Sequence, residues 1–209
     1  MTIEYHLTKE DCDCEKKGYL VITLQSNESY KLEKKQVDLL LSKRVDGVII
    51  SIANETNDFK HLENLVAQEI PLVMFDKIAK VVNCSKVIID DRKAAFMATQ
   101  YLINIGCKKI AHFRGPLLPQ NSIDRFLGYK QALLDNNITY DSSLVYINEC
   151  SDKSFEEGKK NAKQLLKDHK DVDGIFINTD LVAIGAMTLF LEKGIKIPEQ
   201  INIVGFSNW

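Results

Sequence analysis

Short apolar runs alternate with stretches whose apolar residues recur at helical spacing, almost from end to end of the chain. The runs are "YLVITL" (19–24), "GVIIS" (47–51), "PLVMF" (71–75), "KVII" (86–89), "IAHF" (110–113), "LVYI" (144–147), "GIFI" (174–177) and "INIVGF" (201–206). Each has strand length and β-branched or aromatic content, and is bounded by Gly, Pro, Asp or Asn. Between them, Leu32, Gln36, Leu39, Leu40 and Lys43 keep a helical period, as do Ala94, Ala95, Ala98, Leu102 and Ile105. Three further helices are expected around Phe126–Leu134, Phe155–Leu166 and Val182–Phe190. Basic or glycine stop signals follow several of them, at Lys43-Arg44, Gly106 and Lys193-Gly194.

Strand–helix–strand alternation with nearly continuous apolar strands predicts parallel sheets covered by helices on both faces. One joint occurs twice: "VDGVII" at Val45–Ile50 and "VDGIFI" at Val172–Ile177, each after a Lys-rich helical stretch ending in paired leucines. The copies lie about 127 residues apart, too far for a tandem short repeat. Two similar α/β lobes, each with its own αβ joint, explain the duplication. Asp-Gly is expected to make the tight turn into the strand.

At 209 residues, 45% hydrophobic and 27% charged, the composition is that of a globular protein with a real core. The net charge of −2 offers no basic field for nucleic acid or an anionic membrane. Five scattered cysteines suit a reducing cytoplasm better than a disulfide framework. Cys12-Asp-Cys14 supplies two possible metal ligands, but no second Cys/His pair at ligand spacing completes a site, so no metal and no cofactor is expected. The N-terminus has no apolar signal-peptide core, and no apolar run approaches the ~18 residues that span a bilayer.

In open parallel sheets, ligands bind beyond the carboxyl ends of the strands. At those ends stand Gln25-Ser26-Asn27, Ser51, Asp76-Lys77, Asp90-Asp91-Arg92, Arg114, Asn178-Thr179-Asp180 and Ser207-Asn208. The set has no dominant charge and suits a neutral polyhydroxylated ligand better than a phosphate. No two glycines are separated by a single residue, so the dinucleotide fingerprint is absent, and so are the phosphate-binding P-loop, the hydrolase elbow and the zinc-protease helix. The four histidines show no ligand or triad spacing, and His112 reads as a satisfied core residue inside an apolar strand. Binding groups are present without a catalytic engine, and an enzyme is disfavoured.

At this point the residues match a known family. "KKGYLVITLQSNESYKLEKKQVDLLLSKRVDGVIIS" resembles the first lobe of the effector-binding core of LacI/GalR-family transcriptional repressors. The order continues with "IPLVMFD", "VIIDDRKAAFMATQYLINIGCKKIAHFRGP", "RFLGYKQAL", "NTDLVAIGAM" and "IPEQINIVGFSNW", covering about residues 16–209. The resemblance implies an α/β fold of type I periplasmic-binding-protein kind: two Rossmann-like lobes, parallel sheets flanked by helices, and ligand in the cleft between them. It places the lobes at residues 1–106 and 107–209.

The resemblance also implies site residues. Asp90 matches an acid that hydrogen-bonds ligand hydroxyls, though it also suits an N-cap. Arg125, in an R-x-x-G-[FY] pattern, matches an arginine reaching the ligand from the second lobe, on an exposed cleft position. Asn121 matches a nearby polar contact. Thr179 stands where the family has asparagine, Asp180 keeps the motif's acid and suits a helix cap, and Ser207 replaces a frequent aspartate. The family's helix-turn-helix, hinge helix and first core strand are not found, residues 1–17 look like the remains of a helix, and both lobes read as incomplete. The reading is therefore the cytoplasmic, homodimeric, ligand-sensing core of a LacI/GalR-type regulator, with a sugar or nucleoside-like effector and operator DNA reached only through a segment absent from this chain. The alternative is a periplasmic-type sugar-binding protein for transport or chemotaxis.

Overall fold

Seven of the eight apolar runs form strands. The structure, a computed structural model, describes residues 14–149 and 153–207. Its strands are β1 (Val48–Ile50), β2 (Leu72–Phe75), β3 (Ser85–Val87), β4 (Ile110–Arg114), β5 (Val145–Ile147), β6 (Gly174–Ile177) and β7 (Asn202–Val204). Its helices are α1 (Tyr30–Lys43), α2 (Lys60–Ala67), α3 (Asp91–Asn104), α4 (Gln120–Asp135), α5 (Ser154–Asp168) and α6 (Asp180–Glu192). Two parallel sheets result, ordered β1-β2-β3 and β5-β4-β6-β7.

The second sheet is covered on both faces, and its strands alternate accordingly. Phe113, Ile175 and Ile177 pack with Ala162 and Leu165 of α5 and Ala186 and Phe190 of α6. Ile110 and Phe176 face the other way, onto Ala95 and Leu102 of α3 and Tyr129 and Leu133 of α4. Phe113 and Phe176 are both inaccessible to solvent, each contributing roughly 1.5–3 kcal/mol by burial. In the first lobe, Val37 of α1 and Leu62 and Leu65 of α2 pack on Val48, Leu72 and Met74. By packing, α3 stands with the second sheet, although it precedes residue 107 in the chain.

Three features differ from the sequence reading. Residues 19–24 are not a strand: no neighbouring strand offers them a ladder among the described residues, and Tyr19, Leu20, Ile22 and Leu24 are exposed, Leu20 by 84%. Helix α2 was not expected. It buries His61, Leu62 and Leu65 on one face of only eight residues. At the second repeated joint, Gly174 has no positive φ, so no special turn dihedral explains it. A Cβ there would sit 3.1 Å from Cys107, so close approach is what needs the glycine. Asp173 beside it accepts the backbone N–H groups of Lys108 (2.8 Å) and Lys109 (2.9 Å), tying this joint to the start of β4.

His112 is the core residue its strand implied, but only half satisfied. It stacks on Phe176 with ring centroids 4.8 Å apart, Nδ1 lies 3.0 Å from the Phe176 carbonyl, and Nε2 has no partner. Burial lowers its pKa to about 3, so the folded protein holds the neutral ring. Its folded pKa is depressed, so stability is lost as pH falls below the unfolded value near 6.5. Between pH 7 and pH 5 the wild type should lose about 2 kcal/mol more than His112→Phe in urea denaturation. Parallel pH dependence in the two proteins would remove His112 as the cause.

Candidate functional site

The first turn of α3, the carboxyl end of β6 and the residues after β7 meet around one side chain of α4. Arg125, on the second turn of α4, is buried, with 8% of its surface exposed, which corrects the expectation of an exposed cleft position. Three neighbours draw it inward. Its Nε donates to Asp91 Oδ1 at 2.7 Å, its Nη1 donates to the Asn178 carbonyl at 2.8 Å, and its guanidinium lies 3.7 Å over the Phe206 ring. Arg125 thus joins the start of α3, the end of β6 and the residue pair after β7. Its Nη2 has no protein acceptor among the described residues.

The other sequence-derived residues divide between this cluster and its rim. Asp90 is the N-cap of α3, accepting from Lys93 N at 2.9 Å. Thr179 is the N-cap residue of α6 by backbone, but its hydroxyl caps nothing and is buried without a partner. Asp180 Oδ1 accepts the backbone N–H of Ser207 at 3.0 Å. That contact requires Gly205: a Cβ there would lie 2.1 Å from Asp180 Oδ1. Asn121 faces the first lobe, its Nδ2 donating to Asp76 Oδ1 at 3.0 Å. Cys12 lies outside the described residues; Cys14 is free, and no group of three or more metal-capable side chains occurs among the described residues.

Sequence reasoning missed several partners. Asp91, next to Asp90, takes the arginine. Ser122 Oγ and Asn178 Oδ1 are buried and unpartnered, and a Cβ on Gly115 would lie 3.0 Å from the first and 2.6 Å from Asn178 Nδ2. Gly115 follows β4, so three orphaned acceptor or hydroxyl groups (Ser122, Asn178, Thr179) cluster at the carboxyl end of the sheet. On the first lobe, Lys77 Nζ holds both carboxylate oxygens of Glu28 at 2.6 Å, while Asn54 N donates to the same carboxylate at 2.8 Å. Lys80 Nζ reaches Asp124 Oδ2 across the lobes at 3.4 Å. Only the strand-end positions signalled any of these partners in advance.

The sequence profile of the family described as periplasmic binding proteins and sugar binding domain of LacI family matches residues 2–209. The chain belongs to this family. It is 32% identical over 189 residues to the ribose operon repressor of Halalkalibacterium halodurans, covering 90% of this chain and 54% of that protein. Among solved structures it resembles the transcription regulator CcpA of Lactococcus lactis, at 31% identity and a TM-score of 0.86, over 100% of this chain and 74% of that one. It also resembles a transcriptional regulator CelR–cellobiose complex, at 27% identity and a TM-score of 0.75, over 85% of this chain and 53% of that one. The chain spans about half the length of the curated relatives it matches. The parallel sheets flanked by helices are those of the LacI-family effector-binding fold. No helix among the described residues is long and apolar enough to cross a membrane.

The Arg125–Asp91 pair makes a pH-dependent prediction. Burial raises the Asp91 carboxyl above the usual carboxylate range, and the adjacent guanidinium opposes that rise. Without Arg125 the carboxyl rises further, so the folded variant holds its proton to higher pH than the unfolded chain does. Stability of the variant then falls as pH climbs through the carboxylate range. Arg125→Met should cost about 3–5 kcal/mol at pH 7, and clearly less at pH 4, in urea denaturation. An equal loss at both pH values would show that the carboxylate charge is not what the arginine balances.

Proposed function

We propose that this chain is the effector-sensing core of a LacI-type transcriptional regulator whose effector is a neutral polyhydroxylated molecule, sugar-like or nucleoside-like. One observation carries the reading. Arg125, Lys77 and Lys80 are each matched by a carboxylate (Asp91, Glu28 and Asp124), while Ser122, Asn178 and Thr179 keep buried polar atoms without partners. A charged ligand would have to displace one of those carboxylates. A neutral polyol supplies what the orphaned atoms lack, hydroxyls that both donate and accept. The cellobiose bound by the related CelR regulator supports a sugar.

In this reading Asp90 and Asp180 add acceptors at the rim, Arg125 Nη2 and Thr179 Oγ1 reach the ligand from the second lobe, and Ser207 and Asn121 close its edge. The contacts Asn121–Asp76 and Lys80–Asp124 couple effector binding to the relative position of the lobes. A ligand shifts that equilibrium only by its differential contacts in the two states. The core works as a cytoplasmic homodimer, and Leu181, Ile184 and Leu191 form an exposed apolar stripe on α6 suited to pairing. Operator DNA is contacted through a helix-turn-helix outside these residues, and no chemical step belongs to the function.

The test uses a hydroxyl that has no protein partner. Removing an unsatisfied buried hydroxyl relieves a desolvation penalty, so Thr179→Val should fold as stably as the wild type or better. It should also bind its effector about 2- to 12-fold more weakly, the worth of one neutral hydrogen bond. The effector is first found by thermal-shift screening of neutral sugars, nucleosides and their phosphorylated counterparts, then titrated calorimetrically. Neutral compounds should raise the melting temperature by mass action and phosphorylated ones should not. A response to the phosphorylated compounds alone contradicts the proposal.

A further inference from the structure

A pocket lies on the second lobe, apart from the contacts of Arg125. It has a cavity volume of about 330 Å³ between α3, α4 and the segment that leads into β5. Leu127, Leu134 and Ile138 give it an apolar floor, Tyr140 an aromatic wall, and Arg92 and Lys130 a cationic rim. The volume is at the lower end of those that hold small ligands, enough for one ring with a substituent.

The charges around it are uncompensated. Arg92 reaches only the Gln131 amide oxygen, at 3.4 Å, and Lys130 sits 4.5 Å over the Tyr140 ring. Arg114 lies 4.4 Å over Phe126, whose ring meets Tyr140 edge-on at 6.1 Å. Arg114 is buried to within 8% of its surface, and its Nε has no partner. None of these three cations has a carboxylate within ion-pair distance among the described residues. The nearby acids are engaged elsewhere: Asp135 accepts from Gln131 and Asp141 from Ser143. Arg114 and Lys130 are thus held against two aromatic rings, Phe126 and Tyr140, with cation–π contacts as their local compensation, while Arg92 has only the Gln131 amide oxygen. Arg125, Lys77 and Lys80 show the opposite pattern, each paired with a carboxylate.

We propose that this pocket binds a small organic anion, a carboxylate carried on an apolar or aromatic body. The body fills the floor formed by Leu127, Leu134 and Ile138 and stacks on Tyr140. The carboxylate meets Lys130 and Arg92, a guanidinium being well matched to its two oxygens. Arg114, behind Phe126, adds to the positive potential and donates nothing directly. The site is independent of the effector reading, since it shares no residue with the cluster around Arg125.

Calorimetric titration of the 209-residue protein with benzoate, benzamide and inorganic phosphate tests it. Benzoate should give a saturable isotherm, with benzamide and phosphate each at least tenfold weaker, because one lacks the charge and the other the apolar body. The double variant Arg92→Gln, Lys130→Gln should lose at least tenfold in benzoate affinity. Both changes are at the pocket rim, so its melting curve should match the wild type. Thr139→Trp, which fills the pocket, should abolish binding, while Thr179→Val should leave it unchanged. No saturable isotherm with benzoate overturns the proposal. So does equal binding of benzamide or phosphate, or benzoate affinity unaffected by the double variant.

Discussion

The Arg125 guanidinium, buried at the carboxyl edge of a parallel sheet, is balanced by Asp91 where it lies, and one corner of the second lobe is arranged around that pair. Isolated burial of either Arg125 or Asp91 would cost several kcal/mol, and their contact at 2.7 Å offsets the cost with the help of further contacts to the guanidinium. The Asn178 carbonyl and the Phe206 ring supply two of those interactions. Each comes from a different element, so one side chain fixes the start of α3, the exit of β6 and the chain after β7. Asp180 then secures the same corner by accepting from Ser207. The orphaned hydroxyl of Thr179 and the amide oxygen of Asn178 are held beside this tie, oriented before any ligand arrives.

The same accounting of charge separates two kinds of surface. Toward the other lobe, Arg125, Lys77 and Lys80 each pair with a carboxylate, and the unpartnered side-chain atoms of Ser122, Asn178 and Thr179 are neutral. On the outer side of α4, cations and rings occur together with no acid paired to them. Among the described residues, the side-chain hydrogen bonds joining the lobes are Asn121 to Asp76 and Lys80 to Asp124, and exposed pairs of that kind contribute little each. Such an interface can open without disturbing either core. That is the property a ligand-biased equilibrium between two lobe arrangements requires.

Much of the fold was legible because it rests on local pattern. Uninterrupted apolar runs such as "IAHF" and "GIFI" announce strands buried on both faces, and the alternation with helices announces parallel order. The run "YLVITL" misled because apolar content reports a strand's side chains and not the presence of a neighbour to pair with. Helix α2 escaped because its apolar face spans two turns. The strand-end rule named Asp90, Thr179, Asp180 and Ser207, which follow β3, β6 and β7, and family resemblance named Arg125. What sequence could not convey is pairing. Asp91 and Asp90 are chemically equivalent in the sequence, yet one caps a helix and the other balances the arginine. Glu28 and Lys77 are 49 positions apart, and no periodicity links them.

Hydrogen exchange of the 209-residue protein, with and without a saturating neutral sugar or nucleoside, tests the account most directly. Effector held between the lobes against the edge organised by Arg125 should slow exchange at 114–122, 178–180 and 205–207, and across the cleft at 76–80. Rates around 138–140 should stay unchanged. Protection confined to the outer side of α4, or none at the strand ends despite saturation, would contradict the assignment of that edge as the sensing site.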